Sequence, residues 1–140
     1  MERFCFRLSE GPLDGDWARE QVRGSDAGCV LVFHGTVRGE AAGKEVLRLE
    51  YEAYEDMVAE ETGRIAGEVM DRHAVLRVAV EHSVGTVLPG QRSIAVAIAA
   101  THRKEVFIAA AELMDALKAR APLWKREVYA DGSEWKGQGS

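Results

Sequence analysis

The sequence predicts an α+β domain, with helices packed on a mainly antiparallel sheet. Apolar residues recur at strand period in several short runs, three stretches carry helical periodicity, and the two kinds do not alternate as a parallel sheet requires. Residues 1–140 read as one domain, long enough to bury about two thirds of its unfolded surface without metal or disulfide.

Arg3 to Leu8 alternates, with Phe4, Phe6 and Leu8 on one face, and reads as a strand. Asp14 to Arg23 is a short helix, and Gly28 to Val37 a longer β-rich strand. A loop, Gly39 to Gly43, turns the chain into the strand Val46 to Tyr54, where Leu47, Leu49, Tyr51 and Ala53 share one face and Arg48, Glu50 and Glu52 the other. Asp56 to His73 places Val58, Thr62, Ile65 and Val69 at helical spacing, with Met57 and Met70 alongside as core filler. Val75 to Val84 and Ser93 to Ala100 follow as strands joined through Gly85 and Leu88-Pro89-Gly90. His102 to Arg120 is a helix on Val106, Ala110, Leu113 and Leu117, with Phe107 and Met114 beside them and Thr101 as N-cap. Trp124 to Ala130 is the last strand, turned by Asp131-Gly132 into Ser133-Glu134-Trp135.

Composition excludes several classes. A net charge of −5, with 18 basic residues mixed among 23 acidic ones, argues against a general nucleic-acid binder. Cys5 and Cys29 lie in apolar runs and read as buried thiols in a reducing compartment. No apolar run approaches the ~18 residues of a membrane span, and the N-terminus lacks a signal-peptide core, so a cytoplasmic protein is expected. His34, His73, His82 and His102 lack zinc-ligand spacing, and no P-loop, dinucleotide fingerprint or nucleophile elbow occurs. His82, in phase with Leu76, Val78, Val80 and Val84, reads as a core histidine.

Three segments break local rules. Pro122 must end one element and start another, so Lys118 closes a helix while Lys125 opens an extended segment beside Arg126. Two ammonium groups brought together there would lower each other's proton affinity, as acid–base work near neutral pH requires. The same residues also fit a basic helix end that complements the macrodipole. His102, Arg103 and Lys104 stack cations on a helix N-terminus that prefers acids, which suits a bound anion or side chains splayed into water. Phe33-His34-Gly35-Thr36-Val37-Arg38-Gly39 ends a strand with glycines around an arginine able to fork a phosphate, or simply leaving the core.

In this order and at these intervals, several segments are together specific. They are Phe33 to Arg38, Leu49-Glu50-Tyr51-Glu52-Ala53-Tyr54 with Met57, His82-Ser83-Val84-Gly85, Thr101-His102-Arg103 with Phe107, and Met114 to Lys118 running into Pro122-Leu123-Trp124-Lys125-Arg126-Glu127. From about Gly28 to Trp135 the chain resembles the large, catalytic subunit of molybdopterin synthase. The resemblance implies an α/β-hammerhead type of α+β fold and a homodimer within a heterotetramer. It implies a sulfurtransferase of molybdenum-cofactor biosynthesis that converts cyclic pyranopterin monophosphate into the dithiolene molybdopterin. Sulfur would come from the thiocarboxylated Gly-Gly tail of a small ubiquitin-like subunit, with no metal or organic cofactor.

Carried onto this chain, the resemblance makes Lys118 and Lys125 catalytic. It makes Thr36, Val37, Arg38, His102, Arg103, Arg126 and Glu127 substrate-binding, with Phe33 and Met114 as pocket wall. Arg38, His102 and Arg103 would hold the phosphate, the lysines would stabilise an oxyanion and move protons, and Glu127 would orient a lysine. The family usually has arginine where this chain has Ser83, and Arg92 is the candidate replacement. Two other classes compete: a phosphate-binding module using Arg38, His102 and Arg103, and a structural subunit that only docks a ubiquitin-like partner.

Overall fold

A computed structural model describes residues 2–139. The strands are β1 (Phe4–Glu10), β2 (Cys29–Thr36), β3 (Glu40–Ala41), β4 (Lys44–Ala53), β5 (Arg77–Val87), β6 (Arg92–Ala100), β7 (Leu123–Tyr129) and β8 (Glu134–Gln138). The helices are α1 (Asp16–Val22), α2 (Glu55–Arg72) and α3 (Arg103–Arg120). The strands form one sheet in the order β2-β6-β5-β4-β7-β8, with β1 beside β5 and β3 beside β4. The fold is α+β and mainly antiparallel, as expected, and its parallel pair is β1 on β5.

β5 organises the sheet because its 11 residues outrun a single neighbour. One edge pairs with β1 from Val78 to Val84 and then passes to β4 at Gly85, where Gly85 faces Tyr51 and Val87 faces Leu49. Gly85 has φ of 81°, a left-handed conformation open to glycine, and the handover from one partner strand to the next occurs there. The expected strand Val75 to Val84 stops short of this end, since Gly85 and Thr86 resemble turn residues.

Alternation along β6 sorts the two faces. Ile94, Val96 and Ile98 join Val58, Ile65, Val69, Leu113 and Leu117 in the core under α2 and α3. Ala95, Ala97 and Ala99 turn the other way and seat α1 through Ala18 and Val22. Alanines let a short helix lie close to the sheet, whereas branched residues fill the wider gap beneath the two long helices. Val37, Val46, Leu49, Tyr51, Val87 and Tyr129 form a separate cluster under β4 and β7.

Several expectations are corrected. In β4 a register shift between Val46 and Arg48 inserts an extra residue, so Val46 is buried and Leu47, expected inside, is exposed. Met57, expected as core filler, is exposed, whereas Met70 does pack on the core. On α3, Ala109 rather than Ala110 is fully buried, and Phe107 is 60% exposed. The expected loop Gly39 to Gly43 holds the small β3–β4 hairpin, with Ala42 and Gly43 both at positive φ. The N-cap of α3 is His102, in extended conformation, not Thr101. Ser133 to Trp135 leads into a full strand, β8.

Candidate active site

Pro122 acts as the sequence indicates. Ala121 caps α3 in extended conformation and donates its backbone N–H to the Leu117 carbonyl at 3.0 Å, so Lys118 lies in the last helical turn. Lys125 then stands on β7 directly opposite Tyr51 of β4, and Glu127 opposite Leu49. The end of β2, the end of α3 and the middle of β7 thereby converge on a cleft of about 410 Å³. Its lining includes Phe33, Thr36, Val37, Arg38, Met114, Lys118, Lys125 and Glu127. Eight of the expected site residues thus meet in one place, although they come from three regions far apart in sequence.

Larger depressions exist, one of about 720 Å³ along Glu20 to Val30 and one of about 800 Å³ between Leu8, Tyr54 and Trp124. The second is lined by Glu10, Glu52 and Glu55 and offers an anion nothing. Among the described residues, Arg38, Lys118 and Lys125 have no carboxylate within ion-pair distance, whereas Arg7, Arg48, Arg77, Arg120 and Arg126 are all paired. The one expected carboxylate of the cleft, Glu127, is engaged by the Tyr129 hydroxyl, which donates to Glu127 Oε2 at 2.6 Å. That bond to Glu127 is the main reason the Tyr129 phenol is raised above its usual range. The cleft therefore holds three uncompensated cations around one carboxylate already in use, a setting for an anionic ligand.

Behind the cleft wall, Tyr51 and His82 are both buried. Burial raises the Tyr51 phenol, an effect opposed by a hydrogen bond with Ser93 and reinforced by the Glu127 charge. His82 is lowered to about 4, chiefly by burial, with its bond to the Ser83 carbonyl pulling the other way and the Lys125 charge adding to the depression. His82 Nδ1 lies 2.8 Å from that carbonyl, the satisfied core histidine the sequence suggests. Both groups are neutral at pH 7 and form an uncharged floor beneath Lys125.

Three expected residues lie elsewhere in the protomer. Arg126 alternates with Lys125 and Glu127 and points to the opposite sheet face, where it makes two bonds to Glu50 at 2.7 and 2.8 Å and one to Glu134 at 3.3 Å. His102 and Arg103 sit at the start of α3, roughly 22 Å along that helix from Lys118 at 1.5 Å per residue. The sheet agrees: Ala100 pairs with Cys29 at one end of β2 and Arg92 with Thr36 at the other, so His102 and Arg38 flank opposite ends of an eight-residue strand. Ser83 is buried and its hydroxyl donates to the Gly11 carbonyl at 2.7 Å, while the Arg92 guanidinium donates to the Asp14 carbonyl, and neither lines the cleft.

Tyr51, Ser93 and Ile94 also line the cleft, and the sequence does not single them out as site residues. Tyr51 belongs to an apolar strand face, and only the β4–β7 register shows that it meets Lys125.

Comparison with known proteins gives the family. The family model described as MoaE protein matches residues 8–120. A molybdopterin synthase catalytic subunit from Oryza sativa subsp. indica is 40% identical over 131 residues, 92% of this chain and 68% of that protein. Molybdopterin synthase catalytic subunit 1 from Mycobacterium tuberculosis is 38% identical over 134 residues, 96% of this chain and 90% of that protein. The crystal structure of molybdopterin synthase from Staphylococcus aureus superposes with a TM-score of 0.86 at 28% identity, covering 99% of both chains. The chain belongs to the MoaE protein family, whose relatives named above are molybdopterin synthases and their catalytic subunits.

Proposed function

We propose that the protein is the catalytic subunit of a molybdopterin synthase, a sulfurtransferase that passes sulfur from the thiocarboxylated tail of a small ubiquitin-like subunit to cyclic pyranopterin monophosphate. The observation that carries the reading is the convergence of unpaired Arg38, Lys118 and Lys125 on one cleft. Arg38 forks the phosphate of the pterin, with a planar guanidinium suited to two oxygens. Lys118 and Lys125 stabilise the oxyanion formed as the tail carbonyl is attacked, and supply and remove protons as sulfur adds and oxygen leaves. Phe33 and Met114 flank the ring system.

The positions of His102 and Arg103 fit a site completed across a homodimer. Phe33 on the edge strand β2, and Phe107 and Ile108 on α3, are exposed apolar residues. They run between the cleft end of β2 and the start of α3, which packs against β2. A two-fold contact over this surface would carry His102 and Arg103 of one copy toward the cleft of the other, because an isologous interface pairs each surface with its counterpart.

The test is reconstitution. Purified protein mixed with thiocarboxylated small subunit and cyclic pyranopterin monophosphate should yield the dithiolene product, detected as its oxidised fluorescent pterin. Binding of the pterin without product would favour the non-catalytic module instead.

A further inference from the structure

β8 is an edge strand, paired with β7 on one side only. Its register places Gly137 directly opposite Lys125 and Trp135 opposite Glu127. Trp135 therefore stands on the same face as Lys125 and Glu127, diagonal to the lysine. Diagonal neighbours of this kind lie within reach of an aromatic side chain. The Trp135 indole leans over Gly137 and meets the Lys125 ammonium, whose Nζ is 5.8 Å from the ring centroid.

Gly137 makes this lean possible for a reason of space, not backbone freedom. A Cβ at residue 137 would clash with the Trp135 ring, 2.6 Å from Cζ2. The ring covers the glycine, a position where an edge strand is otherwise weakest. The ring also meets Lys125. Building on the catalytic reading of Lys125 above, we propose that Trp135, seated on Gly137, is a positioning residue that holds the Lys125 ammonium for sulfur transfer.

The choice of an aromatic partner has a chemical logic. A carboxylate beside Lys125 would compete with the anionic substrate and keep the proton in place. A π face attracts the ammonium through its quadrupole but carries no net charge, so the lysine stays oriented and open to an anionic group. Among the described residues, Lys125 has no carboxylate within ion-pair distance, and its ammonium stands over the Trp135 ring.

The experiment compares Trp135→Phe, Trp135→Leu, Gly137→Ala and Lys125→Ala in the full-length chain, reconstituted with thiocarboxylated small subunit and cyclic pyranopterin monophosphate. Trp135→Phe keeps a π face and should retain most of the turnover. Trp135→Leu still covers Gly137 but offers no quadrupole, and should lower kcat about tenfold with KM for the pterin little changed. Gly137→Ala, which displaces the ring while leaving the tryptophan in the chain, should lower kcat similarly, and Trp135→Leu combined with Gly137→Ala should cost no more than either alone. Carbon-13 labelling of the lysine ε-carbons gives a readout independent of activity. The ring-current shift of the Lys125 ε-methylene should be present in the parent protein and lost in both Trp135→Leu and Gly137→Ala. If that shift is lost while kcat is unchanged, and Lys125→Ala is inactive, the positioning role is wrong and the catalytic reading of Lys125 survives. If Lys125→Ala turns over normally, both fall. A parent protein without the ring-current shift also overturns the inference.

Discussion

The ring of Tyr51 meets the imidazole of His82 edge to face, with centroids 4.9 Å apart and planes at 78°. Tyr51 also faces Lys125 across β4 and β7, so the buried histidine lies one side chain behind the cleft. A proton on His82 would place a charge in the apolar core close to the Lys125 ammonium, and both burial and that ammonium oppose it.

Stability should therefore fall as pH drops through a defined window. His82 titrates near 6.5 when unfolded and about 4 when folded, so the unfolded chain takes up the proton first. The stabilisation is complete above pH 6.5 and is lost progressively down to about 4, amounting to about 3 kcal/mol. Denaturant unfolding of the parent and of His82→Gln at pH 7, 5.5 and 4 measures it. The difference between the two proteins should shrink as pH falls, and a constant difference would show that His82 is not held neutral.

Arg38→Lys should weaken binding of the pterin phosphate about tenfold although charge is retained, because an ammonium cannot reproduce the two-pronged contact. Calorimetry with the cyclic precursor reads this directly, and unchanged affinity would place the phosphate elsewhere.

Arg126→Ala should leave turnover near the parent value and lower the unfolding temperature only slightly, since solvent screens an ion-pair network at the surface. It borders Lys125 in sequence but pairs with Glu50 on the far face, where it holds the Glu50 carboxyl below its usual range. A large loss of turnover with normal stability would bring Arg126 back into the site.

Mixing two inactive proteins tests the shared site. Subunits carrying Lys125→Ala and subunits carrying Arg103→Ala should, once exchanged, regain roughly a quarter of parent activity, since each mixed dimer holds one intact site. No recovery from a verified mixed dimer would mean that Arg103 acts within its own protomer or not at all.

Much of this architecture is legible in the sequence, for identifiable reasons. The long helices declare themselves because Val58, Ile65 and Val69, and Val106, Leu113 and Leu117, all face one core. The break at Pro122 is a local steric rule, so the placement of Lys118 on a helix and Lys125 on a strand can be read directly. The bulge at Leu47 is invisible to period counting because it depends on how β4 registers against β7. Arg126 and Glu127 look equivalent as neighbours in a string, and only the knowledge of which face is solvated separates them. Tyr51 and Trp135 escape notice as site neighbours because their relation to Lys125 is a matter of cross-strand register, which local spacing does not encode.

The central claim is that Lys118 and Lys125 perform chemistry in the cleft, and single-turnover sulfur transfer by Lys118→Ala and Lys125→Ala tests it most directly. Both residues lie outside the buried stripe of α3 and the β7 core positions, so each variant should unfold at close to the parent temperature. Product formation from thiocarboxylated small subunit and cyclic pyranopterin monophosphate should fall by roughly 10²–10⁴ in each, as loss of an acid–base or oxyanion-stabilising group does. Near-parent rates in both variants, with folding intact, would contradict the account.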